Sequence, residues 1–216
     1  MFPTFKKQFY YPFKPGIYHF QPVLASENIL RELAALHVKK PLVVSMGPVA
    51  GSGGYWISAT GRRIFALPTT ITGSIGVLTL YFNLARLLEK YGITTDCIRH
   101  GDSADLGSAY RPLSEKERRT ISSIVEFLYQ EFISRVADNR KMSPEKVHEL
   151  GEGRLWLGKE AVRYNLVDET GGLHDAIAHI KSIIGAKEVR ISFEPRQPYI
   201  VRLLARWRTD ANLCRR

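Results

Sequence analysis

The chain has 216 residues, 44% of them apolar, and a formal net charge of +10 at neutral pH; that length supports one sizeable core and argues against two domains. The charge sits at the ends. Arg196, Arg202, Arg206, Arg208, Arg215 and Arg216 against Asp210 give +5 in the tail, Lys6, Lys7 and Lys14 give +3 near the start, and about +2 is left for the middle, which argues against a nucleic-acid face on the folded domain and fits contact with anionic lipid or an acidic partner.

Residues 1–22 read as a segment apart, with Phe2, Phe5, Phe9, Tyr10, Tyr11 and Phe13 set among lysines and prolines instead of forming the apolar run of a signal peptide. The folded domain is expected over 23–188. Ser26 is expected to cap a helix whose Ile29, Leu30, Leu33 and Leu36 form one apolar stripe. The β-branched run Pro41 to Met46 predicts a strand that breaks at Gly47 and Pro48, and a helix is expected from Tyr55 onward.

Ser52 lies at that strand-to-helix junction, with Gly51, Gly53 and Gly54 around it. A serine there sits near free backbone N–H groups and the positive end of the helix dipole. The glycines clear space for a substrate carbonyl, and the Gly53 N–H would point at a developing oxyanion, a geometry suited to acyl transfer. The competing reading is a glycine-rich turn with Ser52 as N-cap.

Downstream, Arg63 to Ala66 reads as a strand, Asn83 to Tyr91 as a helix and Thr94 to Arg99 as the next strand, with Cys97 buried in it. Ser114 and Glu117 form a capping box ahead of a long helix with Ile121, Ile124, Val125, Leu128, Phe132, Ile133 and Val136 at three/four spacing, expected to bury against the core. Ser143-Pro144 opens another helix. A strand from Gly153 to Gly158, a helix from Ala161 to Leu166 and a last helix from Leu173 to Ile184 complete a layered α/β pattern, followed by the basic tail 189–216. Adjacent Asp168 and Glu169 point apart and are read as structural, not catalytic. The two cysteines and six histidines make neither a metal spacing nor a disulfide framework, so no metal and no cofactor are expected. The longest apolar run, Ile75 to Phe82, is far shorter than the ~20 residues of a membrane span; the tail Tyr199 to Arg208 is short, basic and amphipathic enough to lie on a membrane surface.

Taken together, Ser45 to Trp56, Thr72-Gly-Ser-Ile-Gly76, Gly153-Arg154 and Leu166-Val-Asp-Glu169 resemble the signal peptide peptidase, or protease IV, family of serine peptidases, in matching order from about Ala25 to Ala186. The resemblance implies a Clp protease/crotonase-like superhelix of ββα units and a Ser/Lys dyad, with Ser52 as nucleophile, Gly53 as oxyanion donor and Ser74 positioning the lysine base. It implies as substrates cleaved signal peptides and other apolar peptides, on the periplasmic side of the bacterial inner membrane, and assembly into oligomers.

Two departures qualify what the resemblance implies. Where single-domain members carry the base lysine this chain has Ala104, followed by Asp105. That matches the serine-bearing carboxy-terminal half of double-length members, whose lysine comes from the other half, so a homo-oligomer or a lysine-bearing partner half is expected. Upstream, Gly16 to Leu24 lacks the family's Gly-Gly turn, which points to a truncated or altered start. Within the chain, a base would need its pKa lowered from ~10.4 to about 7 or 8; Lys39, Lys40, Lys90, Lys116 and Lys141 lie in solvated text, Lys159 at a helix start, and His100 is the rival base. The alternatives are a non-catalytic remnant or scaffold subunit of such an assembly and, less favoured, a crotonase-like acyl-coenzyme A enzyme.

Overall fold

The computed structural model describes residues 9–10 and 23–194 apart from Asp102, Lys187, Arg190 and Ser192. Most of the amino-terminal aromatic and lysine residues, the Gly16–Pro22 text and the tail from 195 onward, with the expectations placed on them, lie outside the described residues.

The strands are short, two to four residues each. β1 (Phe9–Tyr10) pairs in parallel with β8 (Phe193–Glu194). In the main body, β2 (Val43–Ser45) lies parallel to β4 (Arg63–Ala66), with Val44 opposite Ile64, and β4 lies parallel to β7 (Glu169–Thr170). The second sheet has β3 (Val49–Gly51) parallel to β5 (Ile71–Gly73), with Gly51 opposite Gly73, and β6 (Leu155–Leu157) antiparallel to β5. Two successive strand pairs, β2–β3 and β4–β5, therefore each give one strand to each sheet, as the expected ββα repeat requires.

Buried Thr70 ties the two crossovers together. Its hydroxyl donates to Gly47 O at 3.0 Å and accepts from Leu67 N–H at 3.1 Å, while Ile71 N–H donates to Pro48 O at 2.9 Å. These bonds satisfy polar backbone that the turn would otherwise leave buried and unpaired.

Helices pack on the sheets and on one another. α1 (Val23–Lys39) packs on α2 (Gly53–Ser58), and α4 (Glu115–Arg140) brings Phe132 onto Trp56 with ring centroids 4.4 Å apart. The core consists of Tyr55 and Trp56, Ile64 and Ala66, Ile75, Phe132 and Val136, with Leu166 and Val167. α3 (Ala85–Lys90), α5 (Pro144–Leu150), α6 (Gly158–Arg163) and α7 (Leu173–Ile183) complete the fold.

Several sequence expectations need correcting. α1 begins at Val23, so Ser26 is not its cap; it lies inside the first turns, fully buried, its hydroxyl unpartnered. Thr94 to Arg99 forms no strand, because no neighbouring strand of the described chain lies alongside it, and Cys97 is exposed. The capping box of Ser114 and Glu117 forms, but only the carboxy-terminal part of the α4 apolar stripe is buried; Ile124 and Phe127 face outward. Helix α2 starts two residues before Tyr55, and α6 starts at Gly158 rather than Ala161.

Candidate active site

β3 ends at Gly51 and α2 starts at Gly53, so Ser52 alone makes the turn between them. Its backbone takes φ 52° and ψ −122°, a conformation an L-residue holds at a cost of roughly 1–3 kcal/mol. Two bonds enforce it: Ser52 N–H donates to Gly73 O, and Ser52 O accepts from Trp56 N–H, both at 2.9 Å. The hydroxyl makes no capping bond to α2. Ser52 thus occupies the N-cap position without making a side-chain capping bond, and its side chain stays partly buried and uncommitted.

The amides of Gly53, Gly54 and Tyr55 precede the first backbone bond of α2 and have no acceptor within the helix. Gly53, buried and next to the nucleophile candidate, is the one of these adjacent to Ser52 in the chain.

Helix α2 is fastened on three sides. The Tyr55 hydroxyl donates to Leu166 O at 2.9 Å, and burial holds that phenol well above its ordinary pKa, which keeps it a neutral donor. The Trp56 indole N–H donates to Glu27 Oε2 at 3.2 Å, and Glu27 also accepts from Arg31 and Arg135, each at 3.0 Å. The Trp56 ring rests on Phe132. Glu27 escaped the sequence reading; its i, i+4 spacing to Arg31 was the available local signal, and its link to Arg135 has none.

Ser74 stands beside Ser52 because the ladder pairs Gly51 with Gly73 and both chains leave it one residue later. Ser74 has φ 49°, and its N–H donates to Arg154 O at 2.7 Å. A Cβ on Gly51 would lie 3.3 Å from Ser74 Cβ, so the bare glycine makes room for that side chain. Two motifs distant in sequence meet here: Gly153 N–H donates to Ile75 O at 2.9 Å, and a Cβ on Gly76 would fall 2.8 Å from Gly153 N. Arg154 pairs with Glu152 at 2.6 Å.

Ala104 lies exposed in the turns of residues 101–108. Next to it, Asp105 accepts from Arg111 Nε at 2.6 Å and from Arg99 at 3.1 Å, and Arg111 also reaches the buried Glu117. The Arg111 guanidinium holds the Asp105 carboxyl well below the usual carboxylate range and lowers that of Glu117 to about 2. Lys39, Lys40, Lys90, Lys116, Lys141, Lys159 and His100 are all exposed. Lys159 belongs to the first turn of α6, its N–H donating to Pro68 O at 3.3 Å.

Asp168 and Glu169 have structural partners. Arg140 grips both oxygens of Asp168 at 3.0 and 2.9 Å, Ile64 N–H donates to it at 2.7 Å, and Glu169 pairs with Arg63. A groove of about 440 Å³ opens between Thr79–Phe82 and the start of α4; none of Ser52, Gly53 or Ser74 lines it.

The sequence profile of peptidase family S49 matches residues 34–187. Protease 4 of Salmonella typhi is 36% identical over 180 residues, 83% of this chain and 29% of that protein. The chloroplastic serine protease SPPA of Arabidopsis thaliana is 41% identical over 159 residues, 73% of this chain and 24% of that one. The chain thus spans about a quarter to a third of the length of these relatives. A solved membrane-bound stomatin-specific protease is similar over 81% of this chain and 75% of its own, at 13% identity and a TM-score of 0.46.

Proposed function

The chain belongs to peptidase family S49, and we propose that it is the serine-bearing part of a peptidase that hydrolyses peptide bonds in cleaved signal peptides and other apolar peptides. One observation carries this reading: Ser52 is held at a positive φ between β3 and α2 with its hydroxyl uncommitted and the Gly53 amide beside it.

In the proposed reaction Ser52 Oγ attacks the scissile carbonyl carbon while a neutral lysine accepts the hydroxyl proton. The Gly53 N–H donates to the oxyanion, a contact worth roughly 2.7–4 kcal/mol in comparable sites. Collapse expels the amine, which takes the proton from the lysine, and water then hydrolyses the acyl-enzyme by the same base. Ser74 would orient the lysine. The base comes from outside this chain, from a copy or from a lysine-bearing partner half, because Ala104 stands where the resemblance puts the lysine. We assign the work to the bacterial membrane, on the periplasmic side of the inner membrane, with the basic tail 189–216 touching anionic lipid. Residues 23–188 form the peptidase domain and residues 1–22 a separate segment in this reading.

A second reading, a non-catalytic remnant or scaffold subunit, is favoured by Ala104 and by the absence of the family's Gly-Gly turn from Gly16 to Leu24. Cleavage of an apolar fluorogenic peptide distinguishes them, using the chain and Ser52→Ala with and without the lysine-bearing half of a double-length relative. Ser52-dependent cleavage that appears on adding the other half supports the split dyad. Silence in both arms supports the scaffold, and Ser52-dependent cleavage by the chain alone would place a base within it, making His100 and Lys159 the next targets.

A further inference from the structure

The turn that holds Ser74 is itself held from α4. Glu152 and Gly153 both take a positive φ, 53° and 76°, and a residue with a side chain enters that region at a cost that surrounding contacts must offset. Those contacts gather on Tyr129, half-buried on α4. Glu152 N–H donates to the Tyr129 hydroxyl at 3.1 Å, and the same oxygen lies 2.9 Å from His148 Nδ1 on α5. The Glu152 carboxylate stands 3.7 Å from His148 Nε2 and accepts from Arg154 at 2.6 Å. A Cβ on Gly151 would fall 3.0 Å from the Tyr129 oxygen, so the bare glycine lets the hydroxyl reach the turn.

Donor and acceptor bookkeeping gives these contacts a direction. With Glu152 N–H directed at the Tyr129 oxygen, the hydroxyl hydrogen goes to His148 Nδ1, and the imidazole hydrogen then sits on Nε2, facing the Glu152 carboxylate. The result is a closed ring through Glu152 backbone, Tyr129, His148 and Glu152 side chain. At its far end the turn fastens the site: Gly153 N–H donates to Ile75 O at 2.9 Å, and Arg154 O accepts from Ser74 N–H at 2.7 Å. We propose that Tyr129 is a positioning residue for Ser74: aimed by His148, its hydroxyl pins the Glu152–Arg154 turn, and the turn sets where Ser74 stands. This rests on the role given to Ser74 in the functional reading above. Tyr129 acts through the turn and not on the substrate.

Tyr129→Phe removes one oxygen and keeps the ring edge-on to His148. Amide hydrogen exchange of the full chain, read by NMR, is expected to quicken roughly tenfold at Ser74 and Gly153 in that variant, with the α4 amide of Val136 unchanged. His148→Ala leaves the acceptor for Glu152 N–H in place and is expected to quicken Ser74 only about two- to threefold. The ring nitrogen shifts of His148 in the parent are expected to place the hydrogen on Nε2. In peptide cleavage with the lysine-bearing half of a double-length relative, Tyr129→Phe is expected to lower kcat roughly tenfold and leave KM within about twofold, the pattern of a contact that matters only in the transition state. Unchanged exchange at Ser74, equal acceleration at Val136, a hydrogen on Nδ1, or an unaltered kcat in a variant whose Ser74 exchange has risen would each overturn the proposal. Exchange is read on the chain alone, so a parent that cleaves nothing counts against the peptidase reading while exchange still decides whether Tyr129 holds Ser74.

Discussion

Ser52 and Ser74 stand side by side: each follows one member of the Gly51–Gly73 register pair, and each takes a positive φ, 52° and 49°. The two strands run parallel, so the residues that step off their ends emerge in the same direction. One is held by Gly73 O and Trp56 N–H, the other by Arg154 O. A pair of positive-φ serines held by bonds from separate segments is an arrangement that packing alone does not require.

Strain at Ser52 is separable from chemistry. Ser52→Gly is expected to raise stability by about 1 kcal/mol, because glycine adopts this conformation without the Cβ clash. Ser52→Ala keeps the Cβ and is expected to leave stability within about 0.5 kcal/mol of the parent. Urea unfolding midpoints compare the three chains. Both variants should lose peptide cleavage in the assay with the lysine-bearing half.

The Asp105–Arg111–Glu117 cluster fixes the sign of a pH dependence. Both carboxyls have folded pKa values depressed by Arg111, to about 2 for Glu117. Their contribution is therefore complete above the unfolded values near ~4 and is lost as pH falls toward about 2. Melting temperature is expected to drop between pH 5 and pH 2.5, and the drop to shrink in Arg111→Met. An equal drop in both chains would show that other carboxylates set the acid limit.

Local pattern made much of this fold legible. The Ser114 capping box, the Ser143-Pro144 start and the Ser52 junction are short-range signals, and each corresponds to an element boundary in the structure. Thr94 to Arg99 misled because β propensity reports a side chain's fitness for a sheet and not the presence of a neighbour. Ser26 misled because helix α1 continues upstream of it. The contact of Gly76 with Gly153, and of Glu27 with Trp56 and Arg135, joins residues far apart in the chain, and a single sequence carries no local mark of such pairs.

Arg140 and Asp168 lock α4 to the strand that follows α6. Arg140 is buried, bidentate on Asp168, and also donates to Asn165 O at 3.0 Å. Removing the cation leaves Asp168 largely enclosed, with the Ile64 amide still donating to it. Arg140→Ala is expected to cost about 3 kcal/mol, near the lower end for a broken buried pair because Asp168 keeps some exposure. Arg140→Ala/Asp168→Asn should recover part of that loss, read from the same urea midpoints.

Two glycines separate damage to the site from damage to the scaffold. A Cβ on Gly158 would lie 2.1 Å from Leu67 O, at the crossover between sheets, and one on Gly76 would lie 2.8 Å from Gly153 N, beside the segment that holds Ser74. Backbone cannot give way cheaply in either place, so each alanine variant is expected to lose about 1–3 kcal/mol. Their effects on catalysis should differ. Parting Gly76 from Gly153 pulls on the Ser74–Arg154 bond, so Gly76→Ala is expected to lower kcat at least tenfold under conditions where the variant remains folded. Gly158→Ala, whose clash falls on the crossover, should keep kcat within about threefold once assayed at a temperature where it is folded. Equal losses in kcat would mean that Ser74 needs no support from the Gly153–Arg154 segment, and that its proposed positioning of the base does not depend on this contact.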